Sequence, residues 1–184
     1  MATPRLVALA ITASLLSTPA VAHNHSRPAA AAQASGETIV AKAASLPDFS
    51  TLVAAVQAAG LVDTLNGAGP FTVFAPDNAA FGRLPAGTVD TLVQPTNRAT
   101  LTRILTYHVV AGRVSASDVV NAVRAGGGSA TFTTVAGVPL TARYDSHGRL
   151  VLVDATGGEA RIIATDINQS NGVIHAIDRV VMPG

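Results

Sequence analysis

Histidine is the residue type in this chain best suited to chemistry near neutral pH, because its imidazole changes charge there and binds metals. The sequence has five histidines, and three of them, His108, His147 and His175, lie well inside the chain. A hydrolase would pair one of them with a serine and a carboxylate, yet no Gly-x-Ser-x-Gly motif is present. A zinc site would place two histidines about four residues apart, and these three are much farther apart. They therefore predict neither a hydrolase triad nor a metal site.

Composition excludes other classes of function. The 11 acidic residues are scattered, so no paired-carboxylate site of the glycosidase type is predicted. The chain has no cysteine, which excludes disulfides, thiolate catalysis and cysteine-bound zinc. The formal net charge is +1 and no run of Lys or Arg occurs, whereas nucleic-acid binding needs a basic face. We therefore predict a protein that is not an enzyme, needs no cofactor and does not bind nucleic acid.

The first 22 residues have the layout of a secretory signal peptide. Arg5 precedes an apolar run from Leu6 to Leu16, and the small residues Ala20-Val21-Ala22 follow. The apolar run is shorter than the roughly 20 residues that a membrane-spanning helix needs. The pattern predicts a signal peptide over 1–22, a secreted or periplasmic location after cleavage, and no integral membrane protein.

Residues 23–36 are rich in alanine with little apolar periodicity, which predicts a flexible linker. If cleavage leaves His23 at the mature N-terminus, the linker begins with His23-Asn24-His25. Its α-amine, two backbone amides and the imidazole of His25 suit Cu(II) or Ni(II), with His23 as a competing ligand. The alternative is a disordered tail in which the two histidines have no role.

The remaining chain, 37–184, divides into a helical half and a β half. Apolar residues at helical spacing predict a helix over 49–56, and Gly60 is suited to end it. Residues 71–75 are a short strand of aromatic and β-branched types, and 101–108 form a second amphipathic helix. Several short strands separated by turns follow. Helices placed ahead of an antiparallel meander predict an α+β fold with the N-terminal helices packed against the sheet.

Three sequence blocks in this unit carry a family resemblance. They read FTVFAPDNAAFGRLPAG (71–87), ILTYHVVAG (104–112) and NGVIHAIDRVVMP (171–183). In this order and spacing they resemble the signature blocks of the fasciclin-like domain family, over essentially all of 37–184. The resemblance implies a β-wedge or sandwich with helices at one side.

The resemblance also implies a function. It points to a small secreted domain of the bacterial type that mediates cell adhesion, or interaction with a cell-surface or matrix protein or polysaccharide. The alternative is a carrier of a small apolar ligand, carotenoid- or lipid-like, because some members resemble carotenoid carriers. The low aromatic content of 4% does not favour that alternative.

The histidines can be interpreted as structural residues, since buried polar groups are almost always hydrogen-bonded. We expect His108, at a helix end, to hydrogen-bond near the Asp77-Asn78 turn and to join the helical half to the strand half. His175 would bond neighbouring groups of the sheet. His147, in the sequence DSHG, would lie in an exposed turn, and Asn171-Gly172 would form a turn with positive φ.

Two segments are candidates for partner binding by resemblance to animal members of the family. One is Tyr107-His108, and the other is Asp166-Ile167, just ahead of the last block. Tyr107 and Ile167 are also ordinary core residues, and this second interpretation stays open. In the last block, Asp178 and Arg179 point to opposite faces of a strand. We expect one at a rim and the other in solvent, without a mutual salt bridge.

Overall fold

The computed structural model describes residues 36–184. The signal-peptide prediction, the copper or nickel site at His23 and His25, and all of the linker except its last residue lie outside these residues. The α-helices are α1 (Ile39–Ser45), α2 (Ser50–Ala59), α3 (Val62–Leu65), α4 (Asn78–Gly82), α5 (Thr88–Leu92), α6 (Arg98–Tyr107) and α7 (Ala116–Ala125). The strands are β1 (Phe71–Pro76), β2 (Val109–Ala111), β3 (Ser129–Thr133), β4 (Pro139–Tyr144), β5 (Leu150–Val153), β6 (Glu159–Gln169) and β7 (Gly172–Ile177).

The strands form one seven-stranded sheet in the order β2-β1-β7-β6-β5-β4-β3. The run from β3 to β7 is the predicted antiparallel meander. The parallel pairing of β1 with β7 was not predicted, and it brings the first and last signature blocks side by side. A single bridge between Val110 and Thr134 links the two outer strands, so the sheet is nearly closed. The predicted α+β fold is confirmed.

Two apolar clusters fill the interior. The first lies between the N-terminal helices and one part of the sheet, where Leu52 of α2 and Leu105 of α6 pack with Ile174 of β7. The second lies within the curved sheet under α7 and contains Phe74 and Leu152. β1 and β7 contribute residues to both clusters, because successive side chains of a strand point to opposite faces. The first and last blocks therefore separate the two halves of the core.

The close approach of β1 and β7 depends on glycine. A Cβ on Gly172 would lie within 2.0 Å of the carbonyl oxygen of Phe71, so no side chain fits there. Gly172 lies in an extended strand without positive φ, so the predicted positive-φ turn at Asn171-Gly172 was wrong. Asn171 contributes through its side chain, which accepts from the Ile39 amide at 3.0 Å and donates to the Leu65 carbonyl at 2.7 Å. This amide group ties the start of β7 to α1 and α3.

Candidate functional site

Tyr107 ends α6 with its side chain fully buried at 0% exposure. Its hydroxyl donates to the carbonyl of Pro139 at 2.9 Å and accepts from the amide of Ala155 at 3.1 Å. Burial raises the pKa of this phenol above its ordinary value. The ring has no accessible surface and its hydroxyl both donates and accepts, so the structure favours Tyr107 as a core residue over a residue in direct contact with a partner.

His108 follows as the C-terminal cap residue of α6 and is 1% exposed. Its Nε2 accepts from the amide of Val181 at 3.1 Å, so the proton must be on Nδ1, which donates to the carbonyl of Ile104 at 2.8 Å. Burial lowers the pKa of His108 to about 4, although the bond to Ile104 opposes the shift. His108 therefore joins α6 to the end of the last block. Its burial and its two backbone bonds favour the structural role over direct contact with a partner.

The Asp77-Asn78 turn has partners other than His108, so the bond expected between them was also wrong. The carboxylate of Asp77 caps α4 by accepting from the amide of Ala80 at 2.6 Å. The side chain of Asn78 donates to the carbonyl of Pro47 at 2.8 Å and accepts from the amide of Thr51 at 3.1 Å. The turn therefore fixes α4 against the start of α2.

His175 lies in the middle of β7 and is 1% exposed. Its Nε2 donates to the carbonyl of Val114 at 2.8 Å, and its Nδ1 accepts from the amide of Asp166 at 3.3 Å. The imidazole also stacks on Phe74, with ring centroids 5.5 Å apart. Both nitrogens bond backbone groups, as the sequence predicts, and one of these groups belongs to the Asp166-Ile167 pair.

Asp166 and Ile167 occupy a bulged part of β6. The register of β6 against β7 shifts twice between Ile162 and Ile167, and Asp166 has a left-handed φ of 57°, which is uncommon outside glycine. The carboxylate of Asp166 accepts from the amide of Ala116 at 2.8 Å, so it also anchors the start of α7. Asp166 is exposed, whereas Ile167 is half-buried against the helical core. The structure thus separates the predicted pair into an outward and an inward residue.

The four residues 163–166 of β6 are all exposed, and we call them the β6 bulge segment. They include Ile163, which is 54% exposed and is one of two large apolar residues with high exposure in residues 36–184. An alternating strand would bury every second residue. The two register shifts break this alternation and turn the whole segment outward, a feature that periodicity in the sequence does not reveal.

Asp178 forms a charge cluster that the sequence did not predict. The residue is 8% exposed, and its carboxylate accepts from Arg83 Nη1 at 3.0 Å, Arg161 Nε at 2.9 Å and the Arg161 amide at 2.8 Å. Although burial pushes the pKa of Asp178 up, these hydrogen bonds hold it below its usual value. Arg179 is exposed, as expected for one of the pair, but Asp178 lies inside an ion cluster and not at a solvent rim.

The third histidine of the domain, His147, lies where the sequence predicts. His147 lies in an exposed turn, with Nδ1 at 3.8 Å from the carboxylate of Asp145. Within residues 36–184, no group of three or more His, Cys, Asp or Glu residues is arranged to hold a metal ion.

In the described residues 36–184, no single helix has the length and apolarity to cross a membrane. Only Ile39–Ser45 and Pro47–Ala59 taken together reach that length and composition, with a bend of 111° between them.

Residues 47–183 match the model of the Fasciclin domain. The chain therefore belongs to the fasciclin domain family, as its three sequence blocks predict. It is 47% identical over 153 residues to protein sll1483 of a Synechocystis species, covering 83% of this chain and 77% of that protein. It is 37% identical to the immunogenic protein MPB70 of Mycobacterium bovis, covering 88% of this chain and 77% of MPB70.

Two further similarities concern the cell surface and the fold. The cell surface glycolipoprotein MPB83 of Mycobacterium bovis is 36% identical, over 88% of this chain and 68% of MPB83. The structure of a FAS1 domain pair from the insect cell adhesion molecule Fasciclin I superposes with a TM-score of 0.68 at 22% identity. That match covers 78% of this chain and 50% of the insect chain, and it establishes the fold alone.

Proposed function

We propose that this protein is a non-enzymatic adhesion module that acts outside the cytoplasm and binds a cell-surface or matrix component. Membership of the fasciclin family supports this proposal, as do the cell-surface designation of MPB83 and the adhesion role in the description of Fasciclin I. The signal-peptide pattern of 1–22 is consistent with export. We further propose cleavage after Ala22 and a linker over 23–36.

The observation that carries the proposal is the β6 bulge segment. Its four residues lie in consecutive exposed positions, and Ile163 presents an aliphatic side chain to solvent. The segment is held by Asp166, whose amide bonds His175 and whose carboxylate bonds the start of α7. A fixed, exposed segment needs little ordering when it binds, which favours its use as a contact surface.

The bonding of the buried polar side chains supports a non-enzymatic role. The imidazoles of His108 and His175 and the hydroxyl of Tyr107 are each bonded to two backbone groups. A general base must reach a substrate proton with a free lone pair. The two imidazoles have none to offer while the fold is intact, and the Tyr107 hydroxyl lies on a side chain without accessible surface. This bonding supports a role of the three side chains in the fold.

Binding of the protein to the native cell envelope tests the proposal. We expect Ile163→Ser to reduce retention on an envelope preparation, because the exposed apolar contact is lost. Val135→Ser is the matched control, since Val135 is 46% exposed and lies outside β6. Equal retention of both variants would contradict a contact at the bulge. No retention of the unmodified protein would contradict the adhesion function itself.

The mature N-terminus is a separate test of export and of the metal hypothesis. N-terminal sequencing of protein recovered from the native cell should begin at His23. Any other start would exclude the copper or nickel site that uses a free amine at His23. A start at Met1 would contradict signal cleavage.

A second candidate function, carriage of a small apolar ligand, has one observation in its favour. A cavity of about 30 Å³ lies between α1, α2, α6 and the sheet and is lined almost wholly by aliphatic side chains, among them Ile39, Leu52 and Leu105. That volume holds about one water molecule, so a lipid or carotenoid would have to displace α1. Mass spectrometry of an organic extract of the native protein tests this function. An extract without lipid or pigment would exclude it.

A further inference from the structure

A groove on the surface combines three arginines with an exposed apolar side chain. It lies where α4 meets the strands β5, β6 and β7, and its volume is about 430 Å³. Arg83, Arg149 and Arg161 line it together with Asp77 and Ile163. Ligand sites in proteins have volumes of roughly 300–1,000 Å³ and combine apolar lining with a few placed polar groups. The groove has the size and the mixture of groups of such a site.

Asp178 orients two of the three guanidinium groups. It bonds Arg83 through Nη1 and Arg161 through Nε, and the side chains of these two arginines remain 49% and 46% exposed. Among residues 36–184, none accepts a hydrogen bond from Nη2 of Arg83 or from Nη1 and Nη2 of Arg161. The carboxylate of Asp178 thus fixes both guanidinium groups, and their remaining N–H groups can donate to an anion. Planar guanidinium groups bind carboxylates strongly, often through two parallel hydrogen bonds.

The third arginine is oriented in a similar way. Arg149 bonds the carboxylate of Asp145 through Nε at 2.9 Å and Nη2 at 2.8 Å, and its side chain is 51% exposed. Because Asp145 belongs to the preceding turn, it fixes Arg149 without entering the lining of the groove. With Asp145 counted, the three guanidinium groups are matched by the three carboxylates of Asp77, Asp145 and Asp178. The groove therefore offers a ligand pre-positioned N–H donors and not an excess of positive charge.

Asp77 adds a hydrogen-bond acceptor. One carboxylate oxygen of Asp77 caps α4, and among residues 36–184 no donor bonds the other, Oδ2. An ionised carboxylate can only accept hydrogen bonds, so a ligand at this position must bring donors. Ile163, at the side of the groove, offers an aliphatic surface. The groove is thus built for a ligand with a negative group, donor groups and an apolar face.

We propose that this groove binds a uronic acid unit of an acidic polysaccharide. The carboxylate of the sugar bonds the guanidinium groups of Arg83, Arg149 and Arg161. Its ring hydroxyls donate to Asp77, and the C–H face of the ring packs on Ile163. An acidic peptide satisfies the arginines equally well, but it could donate to Asp77 only through its backbone amides, whereas a uronic acid carries several hydroxyl donors on the same ring as its carboxylate. This inference rests on the proposed adhesion function and names the class of partner.

Binding of a short galacturonic acid oligomer to the full-length protein tests the inference. The uncharged methyl ester of the same oligomer and poly-glutamate serve as matched ligands. We expect the oligomer to bind, and both the ester and poly-glutamate to bind at least about tenfold more weakly, the ester because it lacks the charge-assisted bonds. Equal affinity for the acid and its ester would overturn the role of the arginines. Equal affinity for poly-glutamate would overturn the assignment to a sugar.

Two double variants test whether the oligomer binds in this groove. The double variant Arg83→Gln/Arg149→Gln should lower the affinity for the oligomer about tenfold or more, since it removes two charged donors and leaves the bonds of Arg161 to Asp178. The control is Arg103→Gln/Arg124→Gln, which removes the same charge from exposed positions on α6 and α7. Equal losses in the two double variants would overturn the site and leave only a general charge effect.

Two further measurements separate the possible failures. Asp77→Asn should lower the affinity for the oligomer relative to that for poly-glutamate, because both anions gain from the loss of a nearby carboxylate but only the oligomer loses an acceptor for its ring hydroxyls. An unaltered ratio of the two affinities would overturn the acceptor role. Retention on the native envelope without binding of the oligomer would overturn only the uronic acid inference. Binding of the oligomer without envelope retention would overturn the adhesion function while the groove assignment stands.

Discussion

Protonation of His108 should be a main cause of acid destabilisation in this protein. In the unfolded chain an imidazole titrates near its ordinary pKa of 6.5, whereas burial lowers the pKa of folded His108 to about 4. Between these two values the unfolded state binds more protons than the folded state. The stabilising contribution is therefore complete above pH 6.5 and is lost as the pH falls toward 4.

The size of the effect follows from the interval between the two pKa values. One pKa unit corresponds to about 1.4 kcal/mol, so His108 alone should cost about 2 kcal/mol of stability by about pH 5 and about 3 kcal/mol by about pH 4. The cost arises because a charged imidazole would be buried away from water. The charged ring would also lose the hydrogen bond from Val181, whose amide requires an unprotonated Nε2. At roughly 3 °C per kcal/mol, the melting temperature should fall by about 10 °C.

The assay is denaturant unfolding of the unmodified protein and of His108→Gln across this pH range. Glutamine does not titrate, so the difference between the two free energies of unfolding should shrink by about 3 kcal/mol from about pH 7 to about pH 4. His147→Gln is the control, because the imidazole of His147 is 71% exposed in a turn, and its curve should run parallel to that of the unmodified protein. A constant difference for His108→Gln would refute the reasoning.

Three further substitutions test individual contacts by thermal or denaturant unfolding. Tyr107→Phe removes a hydroxyl that bonds the carbonyl of Pro139 and the amide of Ala155 and should cost about 1 kcal/mol, whereas Tyr144→Phe, at a half-buried position, should cost less than about 0.5 kcal/mol. Equal effects would contradict the role of the Tyr107 hydroxyl. Gly172→Ala forces β1 and β7 apart and should cost roughly 3 kcal/mol or prevent folding, whereas Gly82→Ala, where a Cβ meets nothing within 4 Å, should be nearly neutral. Asn171→Ala removes bonds to three backbone groups near α1 and α3 and should cost about 1–3 kcal/mol; an unchanged melting temperature would show that these bonds are replaced by water.

Features set by neighbouring residues were predicted from the sequence. The helix that ends at Gly60, the strand over 71–75 and the exposed turn at His147 follow from side-chain periodicity and turn residues, which act within a few positions along the chain. The three signature blocks predicted the family and the α+β fold in the same way, and both are confirmed. The positive-φ turn predicted at Asn171-Gly172 was wrong, because the glycine at 172 is required by the close approach of β1 and not by its own φ.

Hydrogen-bond partners that are distant along the chain were not predicted. His108 bonds Val181, 73 residues away, and Asp178 bonds Arg83, 95 residues away. Both contacts depend on the parallel pairing of β1 with β7. No short turn joins these two strands, and no local sequence pattern specifies their register. The periodicity of β6 likewise gave no indication that two register shifts would expose residues 163–166.

The sequence by itself determined the kind of protein, the order of a helical half and a β half, and the fact that its imidazoles would need partners. Only the tertiary structure decided which partners these are, that Tyr107 is closed to any ligand, and that Asp178 holds two arginines at an open groove. The physical reason is that buried hydrogen bonds and ion pairs form between groups close in space. Distance in space is set by the packing of the whole sheet and not by distance along the chain.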